Sequence, residues 1–162
     1  MTPLHFIPFS FFHWCESVWP GKWIKGATWI FAIIETIHIM VLAVLLGTIF
    51  LVDLRVLGFG LKRRSAPQLA HDLMPWTLTS TALMILTGVP LFMSEAVKLC
   101  RSAPFCYKMV FLFLALLTHF TIFRSCTKPG KPEGAALGKL AACLSLFFWF
   151  GVALAGRAIA FL

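Results

Sequence analysis

Two residues that can exchange protons, Glu35 and His38, lie three positions apart in the middle of a long apolar segment. An ionisable group at bilayer depth is energetically costly, so such a pair indicates a functional site. His119 lies inside a second apolar segment. Neutral imidazole is a common axial ligand of haem iron, and histidines on two helices can hold a cofactor between them. We therefore predict that His38 and His119 bind the iron of a haem b, with Glu35 tuning the site. The alternative is that each histidine only bonds a neighbouring helix.

Two basic residues, Lys108 and Arg157, lie near the ends of apolar segments and are candidate partners of the haem propionates. Antiparallel helices would place both residues in the same leaflet as Glu35. Because arginine suits bidentate recognition of a carboxylate, Arg157 can also pair with Glu35. The alternative for both basic residues is that their long side chains reach the lipid headgroups. His71, in a basic loop, and Lys108 are alternative metal ligands, although a solvated loop histidine is the simpler interpretation of His71.

The composition places these candidates in a membrane protein. Of the 162 residues, 60% are hydrophobic and 12% are charged, whereas a soluble domain carries about 25% charged residues. Crossing a bilayer takes about 20 apolar residues, and the backbone of such a segment must satisfy its own hydrogen bonds. We therefore predict four transmembrane helices, at residues 28–52, 75–97, 105–123 and 136–160.

Short loops between these segments make sequential helices antiparallel neighbours. The predicted fold class is therefore all-α, an integral membrane four-helix up-down bundle over residues 28–162. Asp53 is interpreted as the point where the first span returns to water, and Pro75 is expected in the first turn of the second helix. Residues 1–27 are rich in Phe and Trp and are predicted to form an interfacial segment, since aromatic rings favour the membrane–water boundary.

The net charge of +8 is interpreted as a membrane topology signal, with no motif for nucleic-acid binding. Basic residues beside apolar segments contact lipid headgroups and mark the cytoplasmic side. Eight of them fall in the first and third loops and six on the opposite side, which favours both termini on the periplasmic side of a bacterial inner membrane. The eight are Arg55, Lys62, Arg63, Arg64, Arg124, Lys128, Lys131 and Lys139; the six are Lys22, Lys25, Lys98, Arg101, Lys108 and Arg157.

Cysteine spacing leaves one question open. Cys100 and Cys106 bracket the short second loop, where an oxidising compartment would permit a disulfide. Free apolar cysteines explain the same pattern. None of the five cysteines has CxxC spacing, so a thiolate metal site is not predicted.

A series of short motifs over residues 28–161 resembles an uncharacterised family of small bacterial four-helix membrane proteins, the DUF6644 family. These motifs are Glu35-Thr-Ile-His38, Gly47, Asp53-Leu-Arg55-Val-Leu-Gly58, Met74-Pro75-Trp76, Thr87-Gly88, Phe105-x-x-Lys108 and Gly156-Arg157-Ala-Ile-Ala-Phe161.

A more distant resemblance links the chain to the haem-binding bacterial protoporphyrinogen oxidase and to the membrane domain of copper-resistance D-type proteins. It depends on His38 and on Lys108 followed eleven residues later by His119. In the oxidase family a first-span histidine and the third-span lysine are implicated in haem binding and activity, and the resemblance implies these roles for His38 and Lys108. The oxidase's aromatic run is replaced by the aliphatic segment Val41–Leu46, and its Pro-Arg pair by Asp53-Leu-Arg55. The resemblance therefore implies haem binding rather than protoporphyrinogen oxidation.

Three functions follow as hypotheses. The first is a b-type cytochrome that exchanges electrons with a quinone, a porphyrin or a partner redox protein, as an oxidoreductase or its electron-transfer subunit. The second is copper handling, in which His and soft Met side chains bind the metal. The third is a cofactor-free structural subunit of a larger membrane complex.

Overall fold

The computed structural model describes residues 8–60, 64–127 and 136–159, and every regular element in these ranges is a helix. Four long helices form a bundle, and three short helices lie at one end of it. The long helices are α3 (Thr28–Leu57), α4 (Ala66–Ser94), α6 (Ala103–Thr127) and α7 (Ala136–Ile159); the short ones are α1 (Phe9–Ser17), α2 (Gly21–Gly26) and α5 (Ala96–Cys100). The predicted all-α four-helix class is confirmed.

The surface of the four long helices is suited to lipid rather than to water. Their most apolar stretches have mean hydropathies between 1.4 and 2.4, yet at most 28% of the residues in any stretch are buried. Apolar side chains such as Trp29, Ile85 and Phe113 are instead largely exposed. A protein with this much apolar surface around long helices is a multi-pass membrane protein.

The bundle consists of two antiparallel helix pairs, α3 with α4 and α6 with α7. The pairs contact each other through α3 and α7 and, less extensively, through α4 and α6. This up-down order places α1, α2, α5 and the end of α7 at one end of the bundle, here called the terminal side. The α3–α4 and α6–α7 connections lie at the opposite end, the loop side.

The hydrophobic core lies between these two ends. Leu45 and Ile49 of α3, Ala115 of α6, and Trp149 and Val152 of α7 pack together there, each at most 4% exposed. Next to them, Phe111 lies against Gly151, where an added Cβ would be 3.0 Å from the ring. Small residues at such positions let membrane helices approach closely, which explains the tight α6–α7 contact.

The N-terminal segment folds over the terminal side. Phe12 and Cys15 of α1 pack against Ala96 and Cys100 of α5 in a second buried cluster. At Gly21, an added Cβ would lie 2.6 Å from the carbonyl oxygen of Cys15, so this crossing of α1 and α2 requires glycine. The predicted interfacial segment therefore forms two packed helices, while its residues 1–7 lie outside the described ranges.

One partly buried carboxylate anchors this segment. Glu16 Oε1 accepts a hydrogen bond from the Val97 backbone N–H at 2.8 Å, and the other oxygen forms an ion pair with Lys25. Burial raises the pKa of Glu16, but the hydrogen bonds from Lys25 and Val97 and the nearby positive charge outweigh it, so the net pKa is lowered. Ionised Glu16 thus connects α1, α2 and α5.

Two predictions about helix ends are wrong. The second helix begins at Ala66, nine residues before Pro75, because Ser65 and Gln68 form a capping box there and Pro67 fits the first turn. Asp53 does not mark the return to water: α3 continues to Leu57 and ends at Gly58, whose φ of 93° favours glycine. Asp53 itself is fully buried.

The four cysteines with described side chains, Cys15, Cys100, Cys106 and Cys143, are free thiols. The disulfide that the sequence leaves open is therefore not formed, and Cys100 Sγ instead donates to the Val97 carbonyl oxygen at 3.1 Å. Part of the predicted orientation rests on side chains outside the described residues, namely Lys62, Arg63, Arg124, Lys128 and Lys131. Which side of the membrane the termini occupy stays a prediction.

Candidate functional site

The site begins with a hydrogen bond between two helices. His38 lies where α3 packs on α4, and its Nδ1 is 2.7 Å from Oγ1 of Thr87. The Thr87 hydroxyl donates to the carbonyl oxygen of Leu83, also at 2.7 Å, so toward His38 it acts as an acceptor. This network assigns the proton of the neutral imidazole to Nδ1 and leaves the lone pair on Nε2. Metal-ligating histidines are oriented by such a bond at the second ring nitrogen.

Gly88 provides the space for this imidazole. An added Cβ at Gly88 would lie 3.1 Å from Cε1 of His38, closer than an ordinary van der Waals contact. Any larger side chain would therefore displace the ring or move α4 away from α3. The adjacent residues Thr87 and Gly88 thus act together, one orienting the imidazole and the other leaving room for it.

Lys108 contributes a positive charge to the same half of the bundle. It is half-buried on α6, in the terminal half of the bundle that also contains His38. Its Nζ lies beside Gly156 of α7, at 4.0 Å from the position of an added Cβ. No acidic side chain of the described chain forms an ion pair with it, so the ammonium group can pair with an anionic ligand.

The structure does not bring His119 to the level of His38. His38 precedes the core residues Leu45 and Ile49 of α3 by seven and eleven residues, and His119 follows the core residue Ala115 of α6 by four. Counted through Leu45 and through Ile49, the two histidines are 11 and 15 residues apart, or about 16–22 Å along the bundle at 1.5 Å per residue. This separation is larger than the few ångströms needed to bind one iron from both sides. Ligation of one iron by both histidines stays a prediction that no described contact supports.

The other predicted site residues occupy different places in the bundle. Glu35 is on the terminal half of α3, but its side chain is exposed on the bundle surface. Arg157 is in the last turn of α7, on the terminal side and next to Gly156. His71 is exposed at the loop side, where it lines a shallow cavity of about 530 Å³ with Arg64, Pro67, Gln68 and Asp72.

The sequence matches the model of a family of unknown function, DUF6644, over residues 11–162. The chain belongs to the DUF6644 family. Thr87, Gly88, Lys108 and Gly156, which the structure places around or near His38, all lie within the matched range. Neither the curated proteins nor the solved structures contain a match to the chain.

The single imidazole at the site of this DUF6644 protein is compatible with haem. No group of three or more His, Cys, Asp or Glu side chains that could hold a metal ion occurs among the described residues. Haem itself fills four positions around its iron, so a single imidazole can complete a binding site. His38 offers an oriented Nε2 lone pair, and Lys108 offers a cation for a propionate.

Sequence reasoning missed a second group of buried polar residues. Asp53 of α3 is fully buried and faces Ser145 of α7, but neither carboxylate oxygen has a hydrogen bond of acceptable geometry in the described chain. Asp53 follows the core residue Ile49 by four positions. Residues four apart share a helix face, so this spacing is the signal that predicts an inward-facing carboxylate.

Proposed function

We propose that this DUF6644 protein is a membrane b-type cytochrome in which Nε2 of His38 would bind the iron of haem b. The observation that supports this proposal most strongly is the hydrogen bond between His38 Nδ1 and Thr87. It fixes the ring and its tautomer, and it leaves Nε2 as a lone-pair donor within the apolar bundle. Gly88 leaves the space in which the ring keeps this orientation.

Lys108 and, in the same leaflet, Arg157 are the proposed partners of the haem propionates. Lys108 is half-buried in the terminal half of the bundle, which also contains His38. Charge-assisted hydrogen bonds to carboxylates are stronger than neutral ones. A positive charge in this position also stabilises the reduced, less positive state of the iron. Lys108 would thus both hold the cofactor and raise its reduction potential.

When bound, haem supplies one-electron redox chemistry, and the protein would exchange electrons with a quinone, a porphyrin or a redox partner protein. The residues of this chain orient the ligand, exclude water and set the local charge. His119 is not included in this site, because about 16–22 Å of helix separates it from the level of His38.

The first test is the cofactor content of the purified protein. Wild-type protein from cells supplied with haem should contain haem b and iron in near-equal molar amounts to the chain, measured by pyridine haemochrome and elemental analysis. His38→Ala should lose the haem, while His71→Ala should retain it, since His71 is exposed on the loop side. Copper without haem would instead support metal handling, and protein without either would support a structural subunit.

A further inference from the structure

The buried polar atoms that lack a hydrogen-bond partner in the described chain are concentrated near one level. They are both carboxylate oxygens of Asp53, Oγ of Ser145, Nε1 of Trp149 and Nδ1 of His119. Asp53, Ser145 and His119 each lie four residues toward the loop side from a core residue, namely Ile49, Trp149 and Ala115. One helical turn from the core toward the loop side, three helices therefore contribute to a layer of buried polar side chains. Buried polar groups in proteins are normally hydrogen-bonded to each other, to an ion or to water.

Asp53 carries the only buried acidic group of this layer. It is 0% exposed, and so is Ser145 opposite it. No basic side chain of the described chain forms an ion pair with it; the nearby Arg55 directs its Nε to the carbonyl oxygen of Arg64 at 2.6 Å. An unpaired carboxylate is very costly in an apolar interior, so its charge must be neutralised by something other than these side chains.

We propose that Asp53 and Ser145 form a binding site for a small monovalent cation, either a proton or a sodium ion, at the α3–α7 interface. A single carboxylate compensates a single positive charge. Carboxylate and hydroxyl oxygens are hard ligands that suit such a cation better than a transition metal. The described chain also lacks the group of three His, Cys, Asp or Glu ligands that a multivalent ion would favour.

The cation has a short route from the loop side. Asp53 lies four residues before the end of α3 at Leu57, which is about 6 Å along the helix. Ser145 lies nine residues after the start of α7, so both ligands are closer to the loop side than the core is. Exchange with water on the loop side therefore does not require passage through the hydrophobic core.

The surrounding charged groups do not replace the proposed cation. On the packed helices, His119 of α6 is the other buried titratable group at this level. The other charged or titratable groups of α4 and α7 on the loop side, His71, Asp72 and Lys139, are exposed, and Asp72 pairs with Arg64. On α3 itself, Arg55 bonds the Arg64 carbonyl oxygen. The remaining groups, Lys22 and Lys25 of α2, Glu35 and His38 of α3 and Arg157 of α7, lie in the terminal half of the bundle.

Thermal unfolding of the full-length protein in lipid nanodiscs tests this site. The melting temperature, Tm, is measured in NaCl and in choline chloride at equal ionic strength, and over a pH series. A sodium site predicts a rise in Tm with NaCl, on the order of several degrees at saturation. A proton site predicts no sodium effect and a Tm that falls as pH rises, because the folded state holds the extra proton.

Asp53→Asn should remove whichever dependence the wild type shows, and Ser145→Ala should weaken it. Asp72→Asn is the matched control, since this exposed aspartate on the loop side should leave the dependence unchanged. If Asp53→Asn shows the same sodium and pH dependence as the wild type, the proposal is overturned.

Infrared spectra of the wild type provide a second measurement that needs no variant to fold. A protonated buried carboxyl shows a C=O stretching band that is lost on ionisation. A band that persists at neutral pH in NaCl supports the proton, and a band that sodium but not choline removes supports the sodium ion. Absence of the band together with no sodium effect on Tm would leave a charged, uncompensated Asp53 and would contradict the proposal.

Discussion

Thr87 of α4 accepts a hydrogen bond from Nδ1 of His38 on α3, across 2.7 Å. The bond joins two helices in the terminal half of the bundle, and the hydroxyl proton of Thr87 is already used by the Leu83 carbonyl oxygen. A threonine in this position therefore determines which nitrogen of His38 keeps a lone pair. The predictions below test whether that nitrogen binds haem iron and whether the neighbouring residues act as proposed.

Replacing Thr87 with valine keeps the side-chain shape but removes the acceptor. His38 would lose its orientation, and we expect haem affinity to fall roughly 10- to 100-fold, as is typical when the partner of a metal-binding histidine is removed. Haem titration of the apoprotein measures the change. Thr121→Val is the matched control, because Thr121 is exposed on α6 and bonds only its own helix at Leu117. Equal loss of affinity in both variants would contradict the assigned role of Thr87.

Gly88→Ala should reduce haem occupancy through contact with His38. The added methyl group would lie 3.1 Å from Cε1 of the imidazole, so the ring must shift. Alanine otherwise stabilises a helix by about 0.5–1 kcal/mol relative to glycine. Gly47→Ala supplies the comparison, because nothing lies within 4 Å of an added Cβ there. For Gly47→Ala we expect normal haem content and unchanged or higher thermal stability. If Gly88→Ala contains as much haem as Gly47→Ala, the site beside His38 is not crowded.

Lys108→Met should lower the midpoint potential of the bound haem. Removing a positive charge favours the oxidised state of the haem. For two unit charges about 10 Å apart in a medium with an effective dielectric constant of about 20, the interaction corresponds to a shift in midpoint potential on the order of 50–100 mV. A spectroelectrochemical titration measures this shift. Lys139→Met, at an exposed position on the loop side, should change the potential little. A potential that does not move in Lys108→Met would place the lysine away from the haem.

Acid should release the N-terminal helices from the bundle. The pKa of Glu16 is lowered from its ordinary value of 4.5 in the folded protein, so its stabilising effect is complete above 4.5 and is lost as pH falls through the lower folded value. A hydrogen bond to a charged group contributes on the order of 1.5–3 kcal/mol to stability. Below pH 4.5, the protection of residues 9–26 against hydrogen exchange, corrected for the intrinsic exchange rate at each pH, should therefore decrease in the wild type.

Glu16→Gln should already exchange faster at neutral pH and should lose most of this acid dependence. Asp72→Asn, which alters an exposed ion pair at the other end of the bundle, should behave like the wild type. If Glu16→Gln retains the full acid response, another group controls the release.

The number and order of the transmembrane helices were predictable because lipid leaves a long apolar segment little choice but a helix. The start of α4 at Ala66 was not predicted. The prediction relied on Pro75 as a first-turn proline and did not use the capping box formed by Ser65 and Gln68. Asp53 and Arg55 stand together at the edge of an apolar segment, a pattern that predicts the return of the chain to water. Its burial depends on Ser145, which lies 92 residues later in the chain.

The candidate site was predictable only in part. His38 and Lys108 stand out as ionisable residues in apolar segments, and the structure places them in one half of the bundle. The partnership of His38 with Thr87 depends on the rotation of two helices, which the sequence does not show. The depth of His119 relative to His38 depends on the relative height of α3 and α6 in the bundle, which the sequence does not show either.

The most direct test is the visible difference spectrum of the purified protein, reduced with dithionite minus oxidised in air, recorded for the wild type, His38→Ala and His119→Ala. We predict sharp reduced α and Soret bands in the wild type, their loss in His38→Ala and their retention in His119→Ala, because only His38 has the oriented imidazole at the proposed site. A featureless wild-type spectrum from cells supplied with haem, or bands that survive in His38→Ala, would contradict haem ligation by His38.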